Sequence, residues 1–301
     1  MPRLPQGSGC RCSIHVGRLG EHFRHRHPQV SDSDHEERCN PTPRHHRTVI
    51  EQEFSVGRNA EIDIHIRTGR VKVKTGNDGI IRVDVDTNDQ GFMVEQRGNL
   101  IYVSSDKNTR WSACGSAYVV LEVPDGTDVT VGTASARIEC NGPLGRVEVK
   151  TASGEIEIAR AESAIIKTAS GDASVGTVTN DLKINSASGD TTIGECGGKA
   201  NFSSASGDIR IGVSTGAVNA STASGDVTIE RFTGRRAIFK TMTGTVIVGV
   251  PAGTRLDLDV TLLAGDLKLP KPAPNTPRSE RQMTIKAKLV TGDLTIERVE
   301  A

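Results

Sequence analysis

The chain has 301 residues, with 37 Lys and Arg balanced by 37 Asp and Glu, and only 3% aromatic residues beside 32 glycines. A net charge of zero supplies no broad field for nucleic acid or an anionic bilayer, and a mean hydropathy of −0.33 with no apolar run near about 18 residues excludes a transmembrane helix. Six cysteines with no Cys-x-x-Cys pair are too few for a disulfide framework and lack zinc-ribbon spacing, so reduced thiols in a reducing compartment are expected. Residues 1–30 carry no continuous apolar segment of the secretory kind, being broken by Arg11, His15, Arg18, His22 and Arg24. The expected location is the cytoplasm, with a surface role left open.

Composition changes sharply near residue 48. The first 48 residues hold seven of the eight histidines, five of the twelve prolines, eight arginines and no lysine. They show neither a helical nor a strand period and bury too little to offset chain entropy, so residues 1–48 are expected to be a disordered tail. An over-extended start, with the true chain beginning near Val49, is the alternative. Cys10, Cys12, His22, His25, His27 and Cys39 are metal-ligand types in no recognised structural spacing, and no metal is assigned to them.

Residues 49–132 read as a strand-rich cap. Apolar residues alternate in Glu61-Ile-Asp-Ile-His-Ile66, Val71-Lys-Val73, Ile81-Arg-Val-Asp-Val85, and again around Phe92 to Val94, Leu100 to Val103 and Tyr118 to Val123. Turn residues separate them at Thr68-Gly69, Gly76-Asn-Asp-Gly79, Arg97-Gly-Asn99 and Pro124-Asp-Gly126. No stretch has a sustained helical stripe.

From residue 133 to 301 one motif recurs: Thr133-Ala-Ser-Ala136, Thr151-Ala-Ser-Gly154, Thr168-Ala-Ser-Gly171, Ser186-Ala-Ser-Gly189, Ser204-Ala-Ser-Gly207, Thr222-Ala-Ser-Gly225, Thr241-Met-Thr-Gly244, Leu262-Leu-Ala-Gly265 and Leu289-Val-Thr-Gly292. The spacings are 18, 17, 18, 18, 18, 19, 21 and 27. Nine near-periodic copies are the signature of stacked coils, each of which buries its apolar face only against its neighbours. Residues five and seven places after each motif start, such as Ile209 and Ile211, form one inward row; those two and four places before it, such as Phe202 and Ala200, form a second. The parity of the two rows differs, so the Gly-Asp step must absorb one residue. Gly154, Gly171, Gly189, Gly207, Gly225, Gly244, Gly265 and Gly292 are therefore assigned to corners at positive φ. By the same parity the motif hydroxyls point inward and can form ladders between coils. The fold expected is all-β: a single-stranded, β-helix-like solenoid with 18-residue coils. At about 4.8 Å per coil the repeats extend roughly 40 Å.

The repeated Ala-Ser-Gly-Asp units, the strand-rich segment before them and the Pro124-Asp-Gly-Thr127 turn resemble the bacterial putative-adhesin family of β-strand-repeat proteins, a domain family of unknown function. The resemblance covers about Val49 to Glu300. It implies a single-stranded β-solenoid and brings no catalytic residue with it. The function expected is a non-catalytic binding or scaffolding module, adhesin-like, with a protein or glycan partner. No catalytic or cofactor-binding residue is assigned, and neither nucleic acid nor membrane insertion is expected.

Four sharper readings compete with this one. Asp172, Asp190, Asp208, Asp226, Asp266 and Asp293, with Glu155, would stack along one edge and repel, which calcium could relieve. The alternative is an Asp side chain that accepts from the backbone of its own turn, and no metal is assigned. A hexapeptide acyltransferase coil fails because steps of six from Val175 bury Asp181 and Lys199. A carbohydrate-active β-helix enzyme needs an acid/base pair beside aromatic walls, whereas Trp111, Tyr102 and Tyr118 are the only Trp and Tyr, and His65 reads as a solvated strand residue. Self-association through open solenoid ends, as in a bactofilin-like cytoskeletal scaffold, has the strand Asp293 to Val299 as its expected edge. Finally, the proline-rich stretch Pro270 to Arg281 reads as an extended surface loop.

Overall fold

A computed structural model describes residues 47–76, 79–89, 91–105, 115–270 and 282–299. The expected tail up to residue 46, its cysteines and histidines, Trp111 and the loop 271–281 lie outside the described residues. Every regular element among the described residues is a strand, because their apolar residues alternate with a period of two. In the N-terminal part these are β1 (Thr48–Ser55), β2 (Glu61–Thr75), β3 (Ile80–Thr87), β4 (Phe92–Arg97), β5 (Leu100–Ser105) and β6 (Ser116–Val123). The long β7 (Asp128–Ser153) and β8 (Ile156–Ser170) follow, then β9 (Ala173–Val178), β10 (Leu182–Ser188), β11 (Thr191–Cys196), β12 (Ala200–Ser206), β13 (Ile209–Ser214) and β14 (Val218–Ser224). The last seven are β15 (Val227–Phe232), β16 (Arg236–Thr243), β17 (Val246–Pro251), β18 (Arg255–Ala264), β19 (Leu267–Lys268), β20 (Gln282–Thr291) and β21 (Leu294–Val299).

The repeats form two parallel faces in a solenoid-like stack. On the first face β8, β10, β12, β14 and β16 lie side by side in parallel register, for example Ile166↔Ile184, Ile184↔Phe202 and Phe202↔Ala220. On the second, β9, β11, β13, β15 and β17 do the same, for example Ile193↔Ile211 and Ile211↔Ile229. Because inward positions meet inward positions, each apolar row becomes a continuous ridge, and a slip by one residue would turn every row outward. Ile156, Ile166, Ile211, Ile229 and Phe239 are fully or almost fully buried between the faces. Truncating Ile211 to alanine would cost about 2–5 kcal/mol. Most inward side chains are Ala, Val, Thr or Ile, which suits two sheets held close by corners of two or three residues.

At the N-terminal end β2 runs through both faces, pairing with β7 in parallel from Glu61↔Asp128 to Lys74↔Asn141. Its other side carries β5 and β6 in parallel. Antiparallel β4 then lies on β5, and antiparallel β3 and β1 follow on β6. The change from parallel to antiparallel marks where coiling gives way to hairpins.

At the other end the order in space departs from the order in sequence. β20 lies between β16 and β18, and β21 lies between β17 and β19. The last coil of the chain is thus inserted before the one that precedes it. The expected open edge, Asp293 to Val299, is corrected by this: β21 pairs β17 along its whole length and β19 at Leu294 and Thr295. Among the described residues the outer edge is β18 with β19, together with residues 296–299 of β21, which β19 does not reach; the reason lies in burial. Met283, Ile285 and Ala287 of β20 are sealed on both sides, while Leu256, Leu258, Val260 and Leu262 of β18 are only half-buried. Leu267 and Leu269, expected inside, are 45% and 49% exposed, and among the described residues no strand pairs with the outer side of β19.

Candidate ligand-binding face

The motif corner is built from two kinds of hydrogen bond, and both differ from expectation. Five of the six Asp carboxylates, all but that of Asp266, reach across to the neighbouring coil. The N–H of Asp190 donates to Asp172 Oδ1 at 2.9 Å, that of Asp208 to Asp190 at 2.9 Å, and that of Asp226 to Asp208 at 3.0 Å. Thr245 donates to Asp226 at 2.7 Å, and Asp266 to Asp293 at 2.8 Å. These side chains therefore cap the next turn in the stack and not their own. The reason is register: the parallel pairing sets each corner directly over its equivalent, so the nearest free donor belongs to the neighbour.

The motif hydroxyls do the local work instead. Thr151, Ser186, Ser204, Thr222 and Thr241 each donate to the carbonyl two residues on, at 2.8 to 3.2 Å. Of the expected hydroxyl ladder, two bonds between coils are present, both to backbone: Thr133 donates to the Arg67 carbonyl at 3.1 Å and Ser188 to the Ala169 carbonyl at 3.4 Å. Positive φ is found at Gly154, Gly189, Gly207, Gly225, Gly244, Gly265 and Gly292 but not at Gly171. At Gly171 glycine is demanded by close approach, because an added Cβ would sit 2.3 Å from the Gly154 carbonyl oxygen. Opposite this corner lies a second glycine column, Gly198, Gly216 and Gly234, where a Cβ would lie 2.4, 1.8 and 2.0 Å from a backbone oxygen of the coil before it. Its spacing of 18 stands in the sequence but went unread. Asp181, which accepts from the Lys199 N–H at 3.0 Å, repeats the corner-to-corner bond there.

Among the described residues no group of three or more His, Cys, Asp or Glu is arranged to hold a metal ion. His65 is not simply solvated: its Nε2 lies 2.9 Å from Asp63 Oδ1 and its ring 5.8 Å from that of Tyr102, over which Arg97 also sits. Burial pushes the Cys140 thiol up to about 12 and Cys196 up to about 11, so both remain protonated thiols shielded from oxidants. Their survival therefore does not tie the chain to a reducing compartment. No helix among the described residues is long and apolar enough to cross a membrane.

The chemistry that remains accessible is on the outward side of the first face. Here β10, β12, β14 and β16 present Lys183, Asn185, Asn201, Asn219 and Lys240 around a groove of about 500 Å³, with Lys199 at its end. The asparagines are half-buried, and Asn219 Nδ2 donates to Asn201 Oδ1 at 3.0 Å. A second groove of about 550 Å³, lined by Lys150, Lys167 and Thr151, adjoins it and shares Asn185. These residues are outward because their neighbours Leu182, Ile184, Phe202, Ala220 and Phe239 point in. The sequence reading passed over them, although Asn201 and Asn219 stand 18 apart, the commonest spacing of the motif.

A stack of parallel strand repeats with a hairpin-capped end and a polar, lysine-bearing face defines an all-β strand-repeat protein. The chain belongs to the Toastrack DUF4097 family, whose sequence model matches residues 59–297. Among solved structures it is similar to a "putative adhesin" of Bacteroides fragilis, with 16% identity over 84% of this chain and 97% of that one, and a TM-score of 0.41. A "putative lipid binding protein" of Parabacteroides distasonis is similar at 12% identity, 84% and 97% coverage and a TM-score of 0.38. A "putative adhesin" of Parabacteroides merdae is similar at 9% identity, 84% and 96% coverage and a TM-score of 0.32. No curated protein matches the chain.

Proposed function

We propose that the chain is a non-catalytic, adhesin-like binding module, a β-solenoid of 18-residue coils that presents a rigid outward face to its partner. The observation that carries this reading is the groove over β10 to β16. Half-buried amides form its floor and lysines its rim, all on strands locked by corner-to-corner hydrogen bonds. A surface held this way loses little freedom on binding, so modest contacts suffice for affinity. The test is capture. Full-length chain and an Asn201→Glu/Ser221→Glu variant are immobilised and exposed to fractionated protein, polysaccharide and lipid from native cells. A component kept by the first and lost by the second supports the reading; equal retention, or none, sinks it.

A second reading is self-assembly into a bactofilin-like scaffold, and the terminal coil favours it. Among the described residues β18 pairs on one side only, with β20, and Leu263, Leu267 and Leu269 are 77%, 45% and 49% exposed. Sedimentation velocity across a concentration series decides it. Growth that Leu267→Asp abolishes supports assembly through this end, and a constant monomer refutes it.

A further inference from the structure

We infer that the outward strip across β7, β8, β10, β12, β14 and β16 binds a linear, carboxylate-bearing polysaccharide running along the stack. This rests on the binding reading above and names its ligand class. Lys150, Lys167, Asn185, Ser203, Ser221 and Lys240 are Cα partners on successive rungs, making a continuous outward row. Five steps at about 4.8 Å extend it to roughly 24 Å, longer than a single sugar and suited to a polymer.

Charge selects the ligand. The two joined grooves are lined by five lysines and no carboxylate. Glu148, beside the strip, is engaged by Lys150 at 2.8 Å and Lys167 at 3.8 Å, and Asp259 is engaged by Lys286 at 2.8 Å. Lys183, Lys199 and Lys240 have no ion-pair partner among the described residues. On a chain whose formal charges cancel, these three form a local positive site and not part of a general basic field.

The neutral groups narrow the class further. The Asn219 to Asn201 bond leaves one amide N–H pair on Asn201 and one carbonyl on Asn219, a donor and an acceptor side by side for vicinal hydroxyls. Ser203 and Ser221 add two exposed hydroxyls on the same rungs. Nucleic acid is disfavoured because the one aromatic residue at the groove, Phe202, is turned inward and 4% exposed, leaving no ring for bases to stack on. A bilayer is disfavoured because the exposed apolar side chains of the lining are the single methyl groups of Ala152 and Ala169, too short to insert, and Ile238 is half-buried.

The experiment is affinity electrophoresis of the full chain in native gels holding polygalacturonate, with neutral dextran and inorganic polyphosphate as parallel arms. The expected result is retardation by polygalacturonate alone, weakened about tenfold or more in Lys183→Ala/Lys199→Ala/Lys240→Ala. Asn219→Ala should weaken it several-fold, while Arg210→Ala on the opposite face leaves it unchanged. Circular dichroism of each variant separates lost binding from lost folding. Absence of retardation, an unaffected triple variant, or equal retardation by polyphosphate with Asn219→Ala silent would each overturn the inference. Should wild-type chain capture a cell component that the Asn201→Glu/Ser221→Glu variant loses, yet ignore polygalacturonate, the ligand class fails and the binding face stands.

Discussion

Replacing Gly207 by alanine separates two reasons for glycine at a corner. The backbone there has φ of +119°, outside the region that side-chain-bearing residues tolerate, and such strain costs about 1–3 kcal/mol. In addition, the new Cβ would lie 2.2 Å from the Gly189 carbonyl oxygen and 2.8 Å from its carbon. That atom is backbone in the adjacent coil and cannot rotate away, so the coils must part locally. Two hydrogen bonds flank the contact: Asp208 N–H to Asp190 Oδ1 at 2.9 Å and Thr191 N–H to the Asp208 carbonyl at 2.8 Å. Weakening both adds about 0.5–1.5 kcal/mol each, for a total near 2–6 kcal/mol. Gly98 supplies the comparison, since it also has positive φ, +66°, but a Cβ there meets nothing within 4 Å. Gly98→Ala should cost only about 1–2 kcal/mol. Urea unfolding followed by circular dichroism measures both, with the midpoint compared at constant slope. Equal losses in the two variants would show that coil-to-coil contact contributes nothing at the corner.

Three further outcomes are expected. Asp208→Asn should leave the melting temperature nearly unchanged, because an amide oxygen still accepts from Asp226. Asp208→Ala should lose about 0.5–1.5 kcal/mol, and a calcium chelator should shift neither variant nor wild type; a chelator-induced drop reversed by calcium would refute the hydrogen-bond account. In a chain whose other four cysteines are changed to serine, Cys140 and Cys196 should resist a thiol reagent at pH 9 until the protein is unfolded, since burial pushes them up to about 12 and about 11; rapid native labelling would contradict their burial. Glu148, held below the usual carboxylate range first by its hydrogen bond from Lys150, contributes stability that is present above its unfolded pKa and lost as pH falls through its lower folded value. Glu148→Gln should therefore cost about 0.2–1 kcal/mol at pH 7 and flatten the acid limb of the stability curve, and an unchanged limb would exclude that contribution.

Much of the fold was legible one residue at a time. Alternation in segments such as Val227-Thr-Ile229 dictates a strand, and the repeating Ala-Ser-Gly unit dictates that strands stack in register, because inward and outward sides follow from a period of two. The two inward rows, and the need for glycine at most corners, follow from that parity. These properties depend on near neighbours in the chain, and the linear order of residues contains them in full. The binding face was legible only as what remained, since outward residues such as Asn201 and Lys240 are free to vary without disturbing the coil.

What required the tertiary structure was every choice between equivalent partners. A carboxylate such as that of Asp172 has its own turn and the next coil within reach by type, and it is the parallel register that brings the Asp190 N–H to within 2.9 Å of it. The order of the last coils is the same kind of choice. The segments Arg255–Ala264 and Gln282–Thr291 both carry inward apolar rows able to stack on β16, and their linear order points to the first. Burial decides for the second, because the row Met283, Ile285, Ala287 and Leu289 is sealed by a coil on each side, whereas β18 is left outermost. Stacking energy depends on which surfaces are covered in space, and a repeating sequence offers several ways to cover them.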